Sequence, residues 1–278
     1  MRQVIAFPGT QGSFSESAAL EAFPQGQCDG YPTFPEAAQA VIDGKADYAL
    51  LPVENSFAGV VLPTYSLLEK LPLHIVAERM KSVRHQLLGV PGATVEGVRQ
   101  ISSHPQAIAQ CDEFLATLEG VQIVPSTNTA ISAREVAQKG DPACAAIASE
   151  EAAKAFGLEI LAKNIQTSSN NTTRFFILSR EKTPLDKPGK ATVVFTVNNE
   201  VGALVRVLAS FARSGLNMSR IESRPMPEST FTYFFSADFE GEMDADHLDT
   251  AMAAAAPFTR EIRLLGVYPK AVRPEEKR

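Results

Sequence analysis

The segment SSNNTTRFFILSR, residues 168–180, places small polar side chains and one arginine directly before an apolar run. Hydroxyl and amide groups donate hydrogen bonds to oxygen-rich anions, and a guanidinium holds a carboxylate through two parallel hydrogen bonds. If a strand begins at Thr173, then Thr173 and Phe175 share one face and Arg174 lies on the other. A threonine-rich strand start is also common where it has no function.

Three further junctions between predicted strands and helices carry polar side chains. They are PGTQGSFS (8–15), PVENSFAG (52–59) and SSHPQAIAQC (102–111). Ligands of open α/β sheets bind beyond the carboxyl ends of the strands, so polar groups at several such junctions can face one ligand. Neutral donors at four junctions, together with one guanidinium, favour a small anion with several oxygens that the protein binds or converts.

Each of these junctions also has a purely structural interpretation. Ser13 and the glycines before it fit an anion held by helix-start N–H groups, or a turn in which Ser13 caps the helix. Glu54 fits an acid–base or hydrogen-bonding group in a cleft, or part of a capping turn. Pro105 marks a helix start, and Gln106 and Gln110 follow it one turn apart on one face. The residue types leave both interpretations open.

The elements that must position these side chains alternate between short apolar runs and longer helical patterns. Strands are predicted at 4–7, 47–53, 73–79, 84–90, 99–102, 121–125 and 144–148. Helices are predicted at 15–23, 34–44, 60–70, 105–118, 128–140 and 150–157. This alternation predicts an α/β fold with parallel sheets and helices on both faces.

After residue 180 the pattern changes. Residues 181–190 are charged and proline-containing, and they are predicted to form a linker. The next elements are predicted as strand 192–197, helix 201–214, strands 217–223 and 230–238, helix 245–255 and strand 260–267. This βαββαβ order predicts a small α+β unit of the ferredoxin-like type.

Composition excludes several classes of protein. The net charge of −6 disfavours nucleic-acid binding, which needs a basic surface. No run of about 18 apolar residues is present to span a membrane, and MRQVIAF lacks the pattern of a signal peptide. The three cysteines and four histidines lack metal-ligand spacing, so we expect a reduced, cytoplasmic protein without a metal site.

The polar blocks GTQGSFSESAA, LPVENSFAGVV, SSHPQAIAQC and NNTTRFFIL resemble, in this order, the signature blocks of the prephenate dehydratase family. The later segment NNEVGALVRVLASFARSGLNMSRIESRP, residues 198–225, resembles the ACT regulatory domain that follows the catalytic domain in that family. The resemblance extends over nearly the whole chain. No chorismate mutase segment precedes the first block, so a monofunctional member is expected.

The resemblance implies a two-lobed α/β catalytic domain at residues 1–180, similar to the type II periplasmic binding proteins, with the active site in the cleft. Lobe one is expected at about 1–77 and 173–180, and lobe two at about 78–170. The strand that starts at Thr173 would then cross back beside the cleft. The linker at 181–190, an ACT domain at 191–270 and a tail at 271–278 complete the expected order.

The reaction implied by the resemblance converts prephenate into phenylpyruvate, carbon dioxide and water without a cofactor. Aromatisation drives it, and the departing hydroxyl group needs a proton or hydrogen-bond donor. By its match to the TRF triplet, Thr173 is expected to act on that oxygen as part of a network. The other catalytic residues implied are Glu54, Asn55, Ser103 and Gln110, and the implied substrate-binding residues are Ser13, Ser56, Arg174 and Phe175.

The ACT resemblance implies that L-phenylalanine binds between two copies of the chain and inhibits the enzyme. A dimer or tetramer is therefore expected. One edge of that effector site would contain Asn199, Gly202, Ala203 and Leu204, and the other would contain Asn217, Glu222, Ser223, Arg224 and Pro225. Val201 occupies a position where the family often has proline, which makes the loop before Gly202 less constrained.

Two alternatives stay open at this point. Arogenate dehydratase performs the same chemistry on the aminated substrate, and the sequence does not distinguish the two pockets. A non-catalytic sensor of amino acids or anions would keep the binding fold without turnover. The complete TRF, ENS and SHPQ blocks favour an enzyme over that sensor.

Overall fold

The computed structural model describes residues 2–182, 189–225, 233–243 and 245–272. Most of the predicted linker and of the predicted tail lies outside the described residues. By the density of its contacts the chain divides into two compact units. The first contains the described residues of Met1–Leu62 and Arg79–Phe175, and the second contains those of Pro63–Glu78 and Phe176–Val272.

The first part of the chain alternates strands and helices. Its strands are β1 (Val4–Pro8), β2 (Gln27–Tyr31), β3 (Tyr48–Asn55), β4 (Gly59–Val60), β5 (His74–Ser82), β6 (Gln86–Gly89), β7 (Gln100–Ser103), β8 (Gln122–Pro125), β9 (Cys144–Ala148), β10 (Glu159–Ala162) and β11 (Thr172–Ser179). Its helices are α1 (Phe14–Ala22), α2 (Phe34–Ile42), α3 (Leu62–Lys70), α4 (Pro105–Ala109), α5 (Asp112–Ala116), α6 (Thr129–Lys139) and α7 (Glu150–Phe156).

These strands form two sheets, so the predicted α/β class is confirmed. One sheet has the order β2-β1-β3-β11-β5 with β4 beside β3, and the other has the order β10-β6-β9-β7-β8. The sheets are mixed rather than parallel as predicted, because β4 pairs antiparallel with β3, and β6 pairs antiparallel with β9 and β10. Residues 83–85 connect β5 to β6 without a helix, and the two strands lie in different sheets. Strand β6 is therefore not preceded by a βαβ crossover that would require it to run parallel to its neighbours.

The helix predicted over residues 105–118 is two short helices. Helix α4 ends at Ala109, and Cys111 leaves helical geometry with φ −117° and ψ 19° before α5 begins. The carbonyl of Gln110 accepts a hydrogen bond from the Thr167 N–H at 2.8 Å. Gln110 therefore stands at the C-terminal end of α4, as the C-cap residue of that helix.

The second part of the chain has the predicted βαββαβ order. Its elements are β12 (Lys190–Val197), α8 (Ala203–Arg213), β13 (Asn217–Pro225), β14 (Tyr233–Glu240), α9 (Ala245–Ala255) and β15 (Thr259–Tyr268). The strands form one antiparallel sheet in the order β13-β14-β12-β15. Helix α8 is amphipathic, and its Phe211 stacks on Phe239 of the sheet with ring centroids 4.0 Å apart.

Helix α3 belongs to the same compact unit as this sheet. The Arg263 guanidinium of β15 donates hydrogen bonds to the carbonyls of Leu68, Glu69 and Leu71 at 2.7, 3.0 and 2.9 Å. A cation at these carbonyls satisfies the free acceptors at the C-terminal end of a helix. On β13, Arg224 binds Ser66 and Glu69. Among the described residues, no helix has both the length and the apolar character needed to cross a bilayer.

Candidate active site

The end of β3 and the start of β11 meet through side chains of the ENS and TRF blocks. The Asn55 amide nitrogen Nδ2 donates to Thr173 Oγ1 at 3.0 Å and to Asn171 Oδ1 at 2.9 Å. The Ser56 hydroxyl donates to the Asn170 carbonyl at 2.8 Å and accepts from the Thr172 N–H at 3.0 Å. Two segments that lie more than 100 residues apart in sequence are thereby fixed to each other.

The direction of these hydrogen bonds is determined by the loop after β3. The backbone N–H groups of Phe57 and Ala58 both donate to Asn55 Oδ1, at 3.0 and 2.9 Å. A backbone N–H cannot accept, so the amide oxygen of Asn55 must face the loop and its NH₂ group must face Thr173. Thr173 Oγ1 is consequently an acceptor in this bond. Its proton has no acceptor among the described residues and remains available to a ligand.

Gln110 and His85 extend the network. Asn171 Nδ2 donates to Gln110 Oε1 at 2.8 Å, and His85 Nε2 lies 2.8 Å from the same oxygen. Asn171 and His85 are both buried, with 1% and 2% of their surfaces exposed. Burial lowers the pKa of His85, while the contact with Gln110 opposes this shift. Thr173, Asn55 and Gln110, all expected from the sequence, thus lie in one hydrogen-bonded network.

Arg174 and Glu54 form an ion pair at the same end of β11. Arg174 Nη1 lies 3.7 Å from Glu54 Oε2, and the Arg174 side chain is buried while that of Glu54 is 39% exposed. Phe175 is buried, with 1% of its surface exposed. The guanidinium therefore already has a carboxylate beside it, and Glu54 presents the more accessible charge of the pair.

Ser103 and Ser13 have well-defined structural partners. The Ser103 hydroxyl donates to the Ile147 carbonyl at 2.6 Å within the second sheet.

Ser13 is the N-cap of α1 and accepts a hydrogen bond from the Glu16 N–H at 3.2 Å. The Glu16 carboxylate accepts from the Gly12 N–H at 2.6 Å. This arrangement differs from a capping box, because Glu16 binds the N–H of Gly12 rather than that of the N-cap Ser13. Within the part of the chain that the structure describes, neither serine shares a hydrogen bond with Thr173, Asn55 or Gln110.

A cleft of about 380 Å³ opens beside the network. Its lining includes Phe57, Gln106, Gln110, Thr167, Ser168 and Asn171. Since Gln110 Oε1 accepts from two donors, the NH₂ group of Gln110 is the part of this amide that remains for a ligand. The lining also contains Asp112, whose carboxylate accepts a hydrogen bond from the Thr167 hydroxyl at 2.6 Å. The cleft therefore offers the NH₂ group of Gln110 beside the exposed ring of Phe57, an arrangement that suits an oxygen-bearing ring compound.

Asn171 and His85 were not expected as site residues. Asn171 lies in the polar run 168–173, so that segment was a sufficient signal to include it. His85 had no such signal, because it lies outside the polar junctions and meets Gln110 only through the tertiary fold.

The residues expected to bind an effector lie at two ends of the βαββαβ unit. Gly202 caps the N-terminus of α8 with φ +78°, where Asn199 is exposed and Ala203 is buried. Leu204 lies one residue further along α8. Asn217 begins β13 and Glu222, Ser223, Arg224 and Pro225 end it. The eight steps of extended strand from Asn217 to Pro225 span roughly 26 Å, so a single chain does not bring Asn217 to the same small ligand as Pro225.

Comparison with known proteins assigns the first part of the chain to a family. Residues 5–183 match the family model described as prephenate dehydratase. The chain is 41% identical to arogenate dehydratase/prephenate dehydratase 1, chloroplastic, of Arabidopsis thaliana, and the match covers 95% of this chain and 71% of that protein. It is 39% identical to the bifunctional N-acyl-homoserine lactone acylase/prephenate dehydratase of Komagataeibacter europaeus, with 96% of both chains covered.

A solved structure gives the same result. The crystal structure of prephenate dehydratase from Arthrobacter aurescens in complex with L-Phe superposes with a TM-score of 0.88 at 31% sequence identity. The superposition covers 96% of this chain and 90% of that chain. The similarity therefore includes the βαββαβ unit, which begins after the family-model match ends.

Proposed function

Because the chain belongs to the prephenate dehydratase family, we propose that it converts prephenate into phenylpyruvate in phenylalanine biosynthesis. The single observation that carries the proposal is the directed hydrogen bond from Asn55 to Thr173, which leaves the Thr173 proton for a ligand. The reaction class, a dehydratase of prephenate or arogenate, is that of the family.

The proposed reaction needs a hydrogen-bond donor at the departing hydroxyl oxygen, and the Thr173 network can supply one. Electrons from the departing carboxylate of prephenate pass through the ring, carbon dioxide leaves, and the ring hydroxyl is expelled and becomes water on protonation. Negative charge develops on the hydroxyl oxygen in the transition state. A hydrogen-bond donor already oriented toward that oxygen stabilises the transition state more than the ground state.

Thr173 is the residue that we assign to that oxygen. A threonine hydroxyl is a weak acid, so its role is to donate a strong hydrogen bond while the proton itself comes from the surrounding polar groups or water. Asn55 supports this role, because its NH₂ group occupies a lone pair of Thr173 Oγ1 and directs the hydroxyl proton away from itself. The NH₂ group of Gln110 is a second donor, suited to a substrate oxygen in the cleft.

The remaining expected residues take supporting roles in this proposal. Ser56 fixes the start of β11 through the Asn170 carbonyl. Arg174 and Glu54 form a charged pair beside Thr173, and a substrate carboxylate would compete with Glu54 for the guanidinium. Phe175 supports the strand from the core. Ser103 and Ser13 would act by holding the ends of β7 and α1 in place.

Arogenate is the alternative substrate. It differs from prephenate by an amino group in place of the side-chain keto group, and the Arabidopsis thaliana relative carries both activities in its name. The Thr173 network acts on the ring hydroxyl, which the two substrates share, so it supports both equally. A direct comparison of kcat/KM for the two substrates distinguishes them.

The second part of the proposal is regulation. By its similarity over nearly the full chain to the Arthrobacter aurescens enzyme, which was solved with L-Phe, the βαββαβ unit would be an ACT domain that binds L-phenylalanine and inhibits turnover. The roughly 26 Å between the two ends of β13 supports a site completed by a second copy of the chain. A homodimer or homotetramer in the cytoplasm belongs to the same proposal.

The test is phenylpyruvate formation from prephenate by the purified protein, with and without L-phenylalanine. Turnover that L-phenylalanine suppresses supports both parts. Turnover without suppression supports the dehydratase and contradicts the effector. Turnover of arogenate but not of prephenate would mean that the protein is an arogenate dehydratase. Ligand binding without turnover of either substrate would favour a non-catalytic sensor.

A further inference from the structure

His85 ends the hydrogen-bonded network on the side away from Thr173. Its ring is buried, and its backbone is fixed on both sides, because its N–H donates to Gln166 Oε1 at 2.9 Å and its carbonyl accepts from the Ile165 N–H at 2.9 Å. The ring of Phe14 packs edge-on against the imidazole, with centroids 5.5 Å apart and an interplanar angle of 85°. These contacts support the imidazole in the position where its Nε2 meets Gln110.

The directions of the other hydrogen bonds determine which atom of His85 carries a proton. The backbone N–H groups after β3 fix the Asn55 amide, whose NH₂ group then requires the oxygen of Asn171. Asn171 in turn offers its NH₂ group to Gln110, which must present Oε1. His85 Nε2 contacts this same oxygen, so it has to be the donor.

We propose that His85 is a positioning residue, a neutral imidazole with its proton on Nε2, which holds the Gln110 amide so that the NH₂ group faces the cleft. This inference rests on the proposed function, because the orientation matters for turnover only if Gln110 binds the substrate. His85 touches no reacting atom in this scheme. It acts through Gln110.

The surroundings of the other ring nitrogen support the neutral form. His85 Nδ1 is buried and has no hydrogen-bond partner among the described residues. A protonated Nδ1 would leave a buried N–H of a cation without an acceptor, which costs more than leaving a lone pair unpaired. The groups that contact the ring, Phe14 and Gln110, are uncharged, and burial lowers the pKa of His85.

Removal of this donor would release one end of the network. Without the His85 N–H, Gln110 loses one of the two donors that hold Oε1 in place. Rotation of the amide by half a turn would direct oxygen toward the cleft and place NH₂ against NH₂ at Asn171. Substrate would then meet an acceptor where the proposed site requires a donor.

The first experiment determines the proton position directly. Protein with ¹⁵N-labelled histidine is measured by long-range ¹H–¹⁵N NMR at pH 7, and the His85 signals are assigned by their loss in His85→Gln. The expected result is a protonated Nε2 and an unprotonated Nδ1. A proton on Nδ1, whether alone or on both nitrogens, would overturn the inference, and this readout does not depend on turnover.

The second experiment tests coupling through Gln110. His85→Leu is expected to lower kcat about 3- to 10-fold, the effect of losing one hydrogen bond, with a smaller change in KM. His85→Gln, which keeps a donor at the end of the side chain, should recover most of this loss. In a Gln110→Leu background, His85→Leu should have no further effect, whereas an equal loss in both backgrounds would show that His85 acts independently and contradict the proposal.

A packing control separates positioning from general destabilisation. Phe14→Leu loosens the contact with the imidazole and keeps the N–H, so it should lower thermal stability with little change in kcat. If Phe14→Leu lowers kcat as strongly as His85→Leu, the effect comes from packing and the positioning role is wrong. Absence of turnover in the wild-type protein would contradict the proposed function instead, and the NMR result would still decide the tautomer.

Discussion

Asn55 and Thr173, 118 residues apart in sequence, share a hydrogen bond of 3.0 Å in which Asn55 is the donor. Both backbone N–H groups of the following loop bind the other atom of the Asn55 amide, so the direction of this bond cannot reverse. The relationship defines the hydrogen bonding of Thr173, because a hydroxyl that accepts from Asn55 has its proton left for a third group.

Asn55→Asp tests the direction of this bond. A carboxylate has the shape of the amide but no protons, so it would accept the Thr173 proton and would also face Asn171 Oδ1 without a donor between them. We expect kcat to fall about 100-fold, the scale for losing a preorganised donor in the transition state. Steady-state kinetics at pH 7 with circular dichroism to verify folding would measure this. A kcat within about twofold of wild type would contradict the assigned direction.

Thr173→Val and Thr173→Ser separate the hydroxyl from the shape of the side chain. Valine keeps the volume and removes the donor, so kcat is expected to fall by roughly 10² to 10³ while KM changes little. Serine keeps the hydroxyl and the contact with Asn55, and we expect it to retain activity within about tenfold of wild type. If serine and valine lose kcat equally, the methyl packing of Thr173 matters and its hydroxyl does not.

The sequence was sufficient to place the candidate site residues that lie at the ends of regular strands. Apolar runs identified β3 and β11, and the polar residues Asn55, Ser56 and Thr173 follow or begin them. The α/β class and the βαββαβ order also follow from local patterns. In contrast, β2 (QCDGY) was missed because it is polar and half-exposed, so no apolar period marks it as a strand.

What could not be predicted depends on contacts between distant segments. Residues 105–118 have a continuous helical pattern, but the N–H of Thr167 takes the Gln110 carbonyl and the helix breaks there. His85, directly before β6, reaches Gln110, directly after α4, only through the tertiary fold. Asn171 is the intermediate case, since the polar run predicts a site but does not say which residue joins Asn55 to Gln110.

His85 should make stability depend on pH. Its pKa in the folded protein is lowered by burial, below the ordinary value of 6.5 that it regains on unfolding. Between these two pKa values the unfolded chain binds more protons than the folded one, so the free energy of unfolding rises with pH and falls as pH decreases below about 6.5. The residues that contact it, Phe14, Gln110 and Gln166, carry no charge that would oppose this effect.

Urea unfolding of wild type and His85→Gln between pH 5 and 8 measures this contribution. The wild-type free energy of unfolding should decrease more steeply toward acid than that of the variant, with a difference in slope of at most about 1.4 kcal/mol per pH unit for one proton. Equal slopes in the two proteins would mean that the pKa of His85 is not lowered by folding.

Arg263 is predicted to stabilise the second compact unit through the end of α3. Its guanidinium donates to the carbonyls of Leu68 and Glu69 in the last turn of α3 and to that of Leu71 just beyond the helix. Arg263→Ala should reduce the free energy of unfolding by about 1.5 to 3 kcal/mol, the range for hydrogen bonds to a charged group. Arg263→Lys should recover only part of this, because an ammonium lacks the planar fork.

The matched control for Arg263 is Arg260→Ala, an exposed arginine on the same strand. It removes one positive charge from β15 without removing a contact to α3. Denaturant unfolding together with hydrogen exchange of the α3 amides distinguishes the two variants. We expect the α3 amides to exchange faster in Arg263→Ala and at the wild-type rate in Arg260→Ala. Equal exchange rates in the two variants would mean that the charge on the strand stabilises α3, rather than the hydrogen bonds to its carbonyls.

Gly202 offers a test of the proposed effector site. It has φ +78° at the N-terminus of α8, and an added Cβ would meet only Arg206 Nε, at 3.9 Å. Gly202→Ala therefore introduces backbone strain of about 1–2 kcal/mol without a steric clash, and it displaces the first N–H groups of the helix, which would face the ligand carboxylate. We expect weaker inhibition by L-phenylalanine and an unchanged kcat in its absence.

Gly215→Ala is the matched control for Gly202→Ala. Gly215 has φ +75° and open space around it beyond the opposite end of α8, so the substitution carries the same backbone cost. The inhibition constant should rise for Gly202→Ala and stay near wild type for Gly215→Ala, whereas equal changes would place the effector away from the start of α8.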